Sequence, residues 1–354
     1  MTNTVREVRS RIGLSVAALA ATVGVTRQTI HAIENGSYAP NTTVALRLAR
    51  ELGVAVEDLF QLDEAAQDLK ATVQIAGERA YAGGPLRLGR VDGKLIGVPW
   101  MPEAFAVPPW DATAVTDSVD GQVTAELTPG RGTAENRLLL AGCDPAVSVL
   151  ATHLQRLAAV DLIAVPSSSR RALQQMEEGL VHLAGTHLSK NLARIPSGCR
   201  VFTLAEWEMG FVVARGNPKG IRGFDELAAP GFCLINREAG SGSRTLLDSG
   251  LAKVGLEGSA IAGYDEIAPG HLAAAAAVRR GTADCCVAPA IAARVFGLAF
   301  VPLTSERYDL VVPEPRLDLP SIQALLDVLQ RGSFRRELAA LAGYDTAAAG
   351  AEVN

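Results

Sequence analysis

The stretch Leu234-Ile-Asn-Arg-Glu-Ala-Gly-Ser-Gly-Ser-Arg-Thr-Leu-Leu247 decides how the larger part of the chain folds. Leu234 and Ile235 close an apolar run begun by Phe232 and Cys233, which reads as a buried strand. Gly240-Ser241-Gly242-Ser243 follows as a loop, and Arg244-Thr245-Leu246-Leu247-Asp248 reads as the first turns of a helix. A strand, a Gly/Ser loop and a helix start together make an anion site. The first helical turn leaves backbone N–H groups unpaired, and the helix dipole adds positive potential there. Glycine permits close backbone approach and serine adds compact donors. Arg237, six residues before Ser243, can add a full positive charge.

Around this stretch, from Arg137 to about residue 345, short apolar strands alternate with helices, the pattern of a mainly parallel sheet. Strands are expected at Arg137–Ala141, Asp161–Val165, Leu180–Ala184, Glu208–Ala214, Cys285–Ala288 and Ser305–Val312. Helices are expected from Pro145 to about Leu157, after Ser167-Ser-Ser169, at His271–Arg279, and at Ser321–Gln330 and Phe334–Ala342. Each loop at the carboxyl end of a strand is a candidate ligand contact, as is usual in α/β sheets. The candidates are Ser148, Thr186, His187, Arg237, Ser241, Gly242, Ser243 and Arg244, with His271 as a further one. A tetrahedral anion needs such N–H and O–H donors converging from two sides.

The N-terminal 62 residues differ in kind. Ser15 precedes the apolar run Val16–Val23, Gly24 ends it, and Thr26 caps a second helix, Arg27–Glu34. Two short helices joined by a Gly-containing turn form a helix-turn-helix. Ile30 and Ile33 share its inner face, while Arg27, Gln28 and His31 point elsewhere. Arg and Gln side chains can read guanine and adenine edges. Residues 1–50 carry six Arg and two Glu, a surplus of four positive charges, within a chain of net charge -5. Such a patch is what phosphate neutralisation requires.

Between them, residues 63–136 read as a linker helix over Asp63–Lys70 and a small β-rich module. Asp92-Gly93 marks a hairpin, Asp120-Gly121 a second turn, and Trp100 and Trp110 are expected in the module's core. A flexible tail is expected over 346–354. With 48% hydrophobic and 20% charged residues, the composition is that of a globular protein, with no apolar run long enough for a bilayer and no signal-peptide pattern. The five cysteines show no zinc spacing. They fit a reducing cytoplasm, with Cys285 and Cys286 as small buried hydrophobes.

The string LSVAALAATVGVTRQTIHAIENGSYAPNTTVALRLARELGVAVEDLF resembles the Cro/repressor-type (XRE) helix-turn-helix family along its length. The resemblance implies an all-α five-helix head over residues 1–62, with DNA recognition by Thr26, Arg27, Gln28 and His31 and binding as a homodimer on two half-sites. Where that family commonly has a backbone-contacting Gln, this chain has Val16, and Arg6, Arg9 and Arg11 are the candidate substitutes.

The segments EEGLVHLAGTHL, EWEMGFVVARGNPKGIRGFDELA, GSGSR, AAAAAVRRGTADCCVAP and GLAFVPLTSERYDLVVP resemble the two-lobed periplasmic-binding-protein fold (type II). Lobe I would take about 137–205 and 302–345, and lobe II about 206–301. GCDPAVSVL and AGTHL bring the region closest to molybdate- and tungstate-binding relatives. There an Arg shortly before a Ser-Gly-Thr loop contacts the oxyanion, and Arg237 and Ser241-Gly242-Ser243 occupy the matching places. The relatives' Thr-rich first loop is replaced by Gly142-Cys143-Asp144-Pro145.

The expected whole is a multidomain chain: helix-turn-helix head, β-rich linker module, and α/β sensor at 137–345. Its expected role is that of a cytoplasmic one-component regulator of operator DNA, controlled by a small oxyanion of the molybdate or tungstate type. No resident cofactor, metal or membrane is expected. Two alternatives stand beside it, a small organic acid or cofactor precursor as ligand, and redox sensing through Cys143. An enzyme is not expected, because nucleophile-elbow, zincin, Walker and dinucleotide motifs are all absent.

Overall fold

The computed structural model describes residues 2–61, 70–99, 110–128, 136–187, 195–341 and 343–353. The chain divides into two compact units, Met1–Leu69 and Lys70–Asn354.

In the first unit a two-residue strand β1 (Thr2–Asn3) precedes α1 (Val5–Arg11), α2 (Val16–Val23), α3 (Arg27–Glu34), α4 (Thr42–Leu52), α5 (Val56–Leu59) and β2 (Phe60–Gln61). β1 and β2 pair antiparallel and join the two ends. The capping residues act as their types dictate. The side chains of Ser15, Thr26 and Asn41 accept from the backbone N–H groups of Ala18, Thr29 and Val44, each cap contributing about 1 kcal/mol. Leu19, Val23, Ile30, Ile33, Leu48 and Leu59 are fully buried and form the core. The expected linker helix lies outside the described residues except for its last, Lys70, which is strand.

The second unit begins with five strands: β3 (Lys70–Ile75), β4 (Pro85–Val91), β5 (Lys94–Pro99), β6 (Ala112–Ala114) and β7 (Gln122–Leu127). They close into a barrel in the order β3-β5-β4-β6-β7. Asp92 and Gly93 both take positive φ, 49° and 79°, in the turn between β4 and β5. That is the two-residue hairpin geometry for which Asp-Gly is suited. Small and aliphatic side chains, among them Val73, Leu86, Leu88, Ala112, Val123 and Ala125, fill the interior. Trp110, expected in this core, is 40% exposed, because the interior of so small a barrel is already filled. Trp100 lies outside the described residues.

The α/β part follows as β8 (Arg137–Gly142), α6 (Val147–Ala158), β9 (Asp161–Pro166), α7 (Ser169–Glu177), β10 (Leu183–Thr186), β11 (Cys199–Val213), α8 (Gly242–Lys253), α9 (His271–Arg280), β12 (Cys285–Pro289), α10 (Ala290–Val295), β13 (Ala299–Pro313), α11 (Pro320–Gln330), α12 (Gly332–Ala339) and β14 (Tyr344–Asp345). The sheet runs β12-β11-β13-β10-β8-β9, with β14 on β11. β8 pairs in parallel with β9 and β10. β11 and β13, 15 residues each, pair antiparallel from Cys199↔Pro313 to Val213↔Ala299.

Three sequence expectations change here. The strands at 208–214 and 305–312 prove to be the ends of β11 and β13. Phe232–Ile235 is not a regular strand; only isolated bridges, Leu234↔Cys285 and Asn236↔Ile267, join it to its neighbours. The 346–354 segment is not a free tail over its described part. Gly350 N–H donates to Thr203 O at 2.7 Å, Val353 N–H to Val201 O at 2.9 Å, and Glu352 pairs with Arg200.

The barrel is packed against the sheet. Leu138 and Leu140 of β8 face α6 and its neighbours, while Leu139 and Ala141 face Val91, Ile96 and Val98 of the barrel together with α7. Burial on both faces explains the unbroken apolar run Leu138–Ala141. Polar contacts fix the docking. Arg137 forms a forked pair with Asp111 at 2.6 and 2.9 Å and donates to Leu88 O. Arg316 reaches Asp92 at 2.5 Å and the carbonyls of Val181 and His182.

Candidate functional site

A cavity of about 520 Å³ opens at the carboxyl ends of β8 and β9. One wall is formed by the loop Gly142-Cys143-Asp144-Pro145 and by residues from Pro166 to Gln175. The other is formed by Arg237, Glu238 and the segment 267–273. The barrel supplies the rim through Gly77 and Glu78. Gln175, fully buried, ties rim to wall, accepting from Gly77 N–H at 2.9 Å and donating to Ser167 at 2.6 Å.

The cavity gathers polar atoms without partners. Arg237 is 5% exposed. Its Nε and Nη2 donate to Glu238 at 2.8 and 2.9 Å, and its buried Nη1 has no partner among the described residues. His271, 3% exposed, has a similarly orphaned Nε2. Burial, reinforced by the charges of Arg237 and His187, holds this imidazole well below its ordinary value and hence neutral. On the facing wall Asp144 Oδ1 accepts from Tyr344 OH at 2.5 Å and Ala146 N–H at 2.8 Å, while Oδ2 is buried and unpaired. Each such group costs about 1–3 kcal/mol of lost solvation. Three around one cavity are a cost that a bound polar molecule would offset.

Burial raises the Asp144 carboxyl from 3.8 to about 6, against the opposing hydrogen bonds of Tyr344 and Ala146 and the His187 charge. The folded chain therefore keeps this proton where the unfolded chain has lost it. Its contribution makes stability fall as pH rises from about 4 to about 6, by on the order of 3 kcal/mol. Denaturant titrations across this range should show a smaller fall in Asp144→Asn; an identical pH slope in both proteins would remove Asp144 as the cause.

Beside the cavity lies an aromatic cluster centred on Trp207 of β11. Its ring centroid is 5.9 Å from both His187 and His271, 5.1 Å from Tyr308 and 6.2 Å from Tyr344. His187, just past β10, holds Glu306 of β13 through Nδ1 at 2.8 Å and interacts electrostatically with the side chain of Cys143. Burial lowers its pKa, but these two partners outweigh burial and hold it at about 10.

The structure places the expected ligand residues unevenly. Arg237 and His271 line the cavity. His187 and Thr186 are buried beside it. Ser148 is exposed and donates to Pro145 O at 3.3 Å, outside the cavity, because its position on α6 turns it outward. Ser241 Oγ is occupied as the cap of α8, accepting from Arg244 N–H at 3.2 Å. Ser243 is buried, its Oγ 3.5 Å from His271 Nδ1. Arg244 turns to Asp248 at 3.0 Å and lies 3.9 Å from the Tyr264 ring centre. The backbone of Gly242 meets the His187 ring: a Cβ there would lie 1.5 Å from Cε1. The Gly/Ser loop is thus a contact surface for His187, and its hydroxyls do not line the cavity. Sequence reading had no signal for Glu306, Trp207, Tyr308 and Tyr344, which reach the site only through long strand pairing and a late strand.

In the head, Arg27, Gln28 and His31 are exposed on α3. Thr26 is committed to capping α3. Arg9 is held by Glu34 at 2.6 Å and by Leu14 O, and Arg6 also pairs with Glu34, leaving Arg11 as the exposed substitute without an ion pair among the described residues. Val16 packs against the core.

Among the described residues no group of three or more His, Cys, Asp or Glu is placed to hold a metal, and no helix is long and apolar enough to cross a membrane.

Comparison with known proteins agrees with this architecture. Residues 151–330 match the family described as PBP superfamily domain, and residues 5–59 match the one described as helix-turn-helix. The Bacillus subtilis protein YvgK is 30% identical over 221 residues, covering 59% of this chain and 71% of its own length. The uncharacterized HTH-type transcriptional regulator YgzD of Bacillus subtilis is 47% identical over 64 residues, 18% of this chain and 97% of its own. Among solved structures, a putative phosphate ABC transporter substrate-binding protein from Clostridium perfringens, with bound phosphate, is similar at 14% identity and a TM-score of 0.48, over 59% of this chain and 99% of that one. The chain belongs to the PBP superfamily and carries a helix-turn-helix domain of the XRE type at its N-terminus.

Proposed function

We propose that the protein is a ligand-responsive transcription regulator. Its α3 reads operator DNA in the major groove, as a dimer on two half-sites, and its cavity takes a small organic anion between two lobes that close on it. The observation that carries this reading is the cluster of buried, unpaired Arg237 Nη1, His271 Nε2 and Asp144 Oδ2 around one cavity. A cavity of about 520 Å³ falls in the range that encloses organic ligands, roughly 300–1,000 Å³. Molybdate and tungstate are less well served. Arg237 already shares its charge with Glu238, Asp144 faces it with an acceptor, and the hydroxyls of Ser241 and Ser243 are turned to other partners. Arg237 and His271 suit an acid group, and Asp144 suits a donor on the same molecule.

A ligand controls DNA affinity only through unequal affinity for two states of the protein. Closure supplies the two states, and the fused head places the response on the chromosome, in the cytoplasm.

The reading is tested by melting the full chain with a panel of small organic acids beside molybdate, tungstate, sulfate and phosphate. A ligand at a hundred times its Kd raises stability by about 2.7 kcal/mol. Stabilisation by the inorganic anions alone would overturn the organic-ligand reading. For the head, sites selected from random DNA provide an operator. Gln28→Ala is then expected to weaken binding by about 1–3 kcal/mol and relax preference at one base position. Equal loss on all sequences would make Gln28 a backbone contact.

A further inference from the structure

We propose that Cys143 is a nucleophile that captures a carbonyl-bearing organic anion as a reversible covalent adduct, with His187 as its acid–base partner and Glu306 as the positioning residue. The proposal rests on the ligand reading above and gives that ligand a second functional group.

Three observations meet at this point. Cys143 lines the cavity at the loop after β8, and its backbone N–H is fixed by Tyr308 OH at 3.1 Å. His187 interacts with both the Cys143 side chain and Glu306 and is almost wholly buried. Its Nδ1 is 2.8 Å from Glu306 Oε2, which leaves Nε2 for the sulfur. Nucleophile, base and orienting carboxylate thus stand in the order that activates a thiol. On the opposite wall Arg237 and His271, whose buried Nη1 and Nε2 are unpaired, line the same cavity. An acid group bound there would hold the rest of a short molecule against Cys143.

The step is an addition. The sulfur attacks the carbonyl carbon as the thiolate, its proton already on His187, and the S–C bond forms as the C=O π pair moves to oxygen. That oxygen then takes the proton from His187 Nε2, giving a hemithioacetal. No atom leaves and nothing is oxidised, so reversal restores thiol and carbonyl compound. Alkylation and oxidation lack that self-contained reset. The adduct also alters what His187 touches on its sulfur side, while its ring still lies against Gly242.

Alkylation of the full chain tests the nucleophile with the protein as its own control. Cys199 and Cys233 are partly exposed, and Cys285 and Cys286 are buried. A free thiol is only a few per cent thiolate at neutral pH, so the paired Cys143 is expected to react about tenfold or more faster than Cys199 and Cys233. It should prefer iodoacetate to neutral iodoacetamide relative to those two. Arg237→Gln should abolish the preference but keep the reactivity. His187→Gln should slow both reagents at Cys143 alone, with Cys285 and Cys286 still unlabelled as proof of fold. Glu306→Gln should slow Cys143 less than His187→Gln does. Equal labelling of Cys143, Cys199 and Cys233, or a rate indifferent to His187→Gln, overturns the nucleophile.

The carbonyl step is read with 4-oxobutanoate carrying ¹³C at its aldehyde. The free aldehyde in water already shows a carbonyl signal and a hydrate signal, and the wild-type chain should add a third, protein-bound saturated-carbon signal upfield of the hydrate that is missing in Cys143→Ser. That third signal persisting in Cys143→Ser, or its absence in the wild type, overturns covalent capture. Binding of acids in the melting panel would show that the cleft reading survives that failure.

Discussion

Replacing Gly242 by valine is expected to hold the two walls of the cavity apart. Its Cβ would fall 1.5 Å from His187 Cε1, far inside van der Waals contact. The ring has little room to retreat, since Glu306 holds Nδ1 at 2.8 Å and Trp207 and Tyr308 pack beside it. Inserted bulk in packed interiors costs about 1–3 kcal/mol, which corresponds to a change of about 5- to 150-fold in an equilibrium between two states. With so rigid a neighbour, the upper end is expected. Hydrogen exchange should report it directly, with faster exchange over 183–187 and 237–246 in Gly242→Val, and a larger radius of gyration in solution. Exchange and dimensions equal to those of the wild type would mean that this contact does not govern the spacing of the walls.

The second large effect lies at the seam between barrel and sheet. Asp111→Ala is expected to cost about 3–5 kcal/mol, the usual penalty for leaving one half of a buried ion pair. Asp111 is 6% exposed and accepts from both Nη atoms of Arg137 and from Leu88 N–H. Asp161 remains 3.1 Å from Arg137 Nε, which favours the lower end of that range. For a unit of this size the melting temperature falls by about 2–4 °C per kcal/mol, so a drop near 10 °C is expected. Asp111→Ala combined with Arg137→Met should cost less than Asp111→Ala alone, because the uncompensated charge goes with it. A double variant as weak as the sum of its singles would show that the pair contributes independently and not as a unit.

The head was legible almost residue by residue, since its helices begin and end on local chemistry. Ser15, Thr26 and Asn41 cap as their side chains dictate, and Ile30 and Ile33 turn inward at helical spacing. The Asp92-Gly93 hairpin was equally local. The α/β pattern was readable in element order, but the full lengths of β11 and β13 were not. Their extra residues are strand only because each pairs with the other along its whole length. In the site, Arg237 was found through its place before the Gly/Ser loop. The serines misled for a general reason: a hydroxyl near a helix start is as useful to its own backbone as to a ligand, and Ser241 is used that way. Glu306, Trp207, Tyr308 and Tyr344 come from 60 or more positions away from the loop that announced the site, or from the far side of a long strand, and no spacing rule links them.

The barrel also sets where this chain can be cut and rejoined. A hybrid regulator made by grafting the binding region onto another head would naturally be joined at Arg137, where the strand–helix alternation starts. That junction would strip Val91, Ile96 and Val98 from Leu139, Ile163 and Val165, remove Asp111 from Arg137, and delete Gly77 and Glu78 from the rim. The transferable cassette begins at Lys70, and a graft that respects this boundary carries its own lid for the sheet and its own doorway to the cavity.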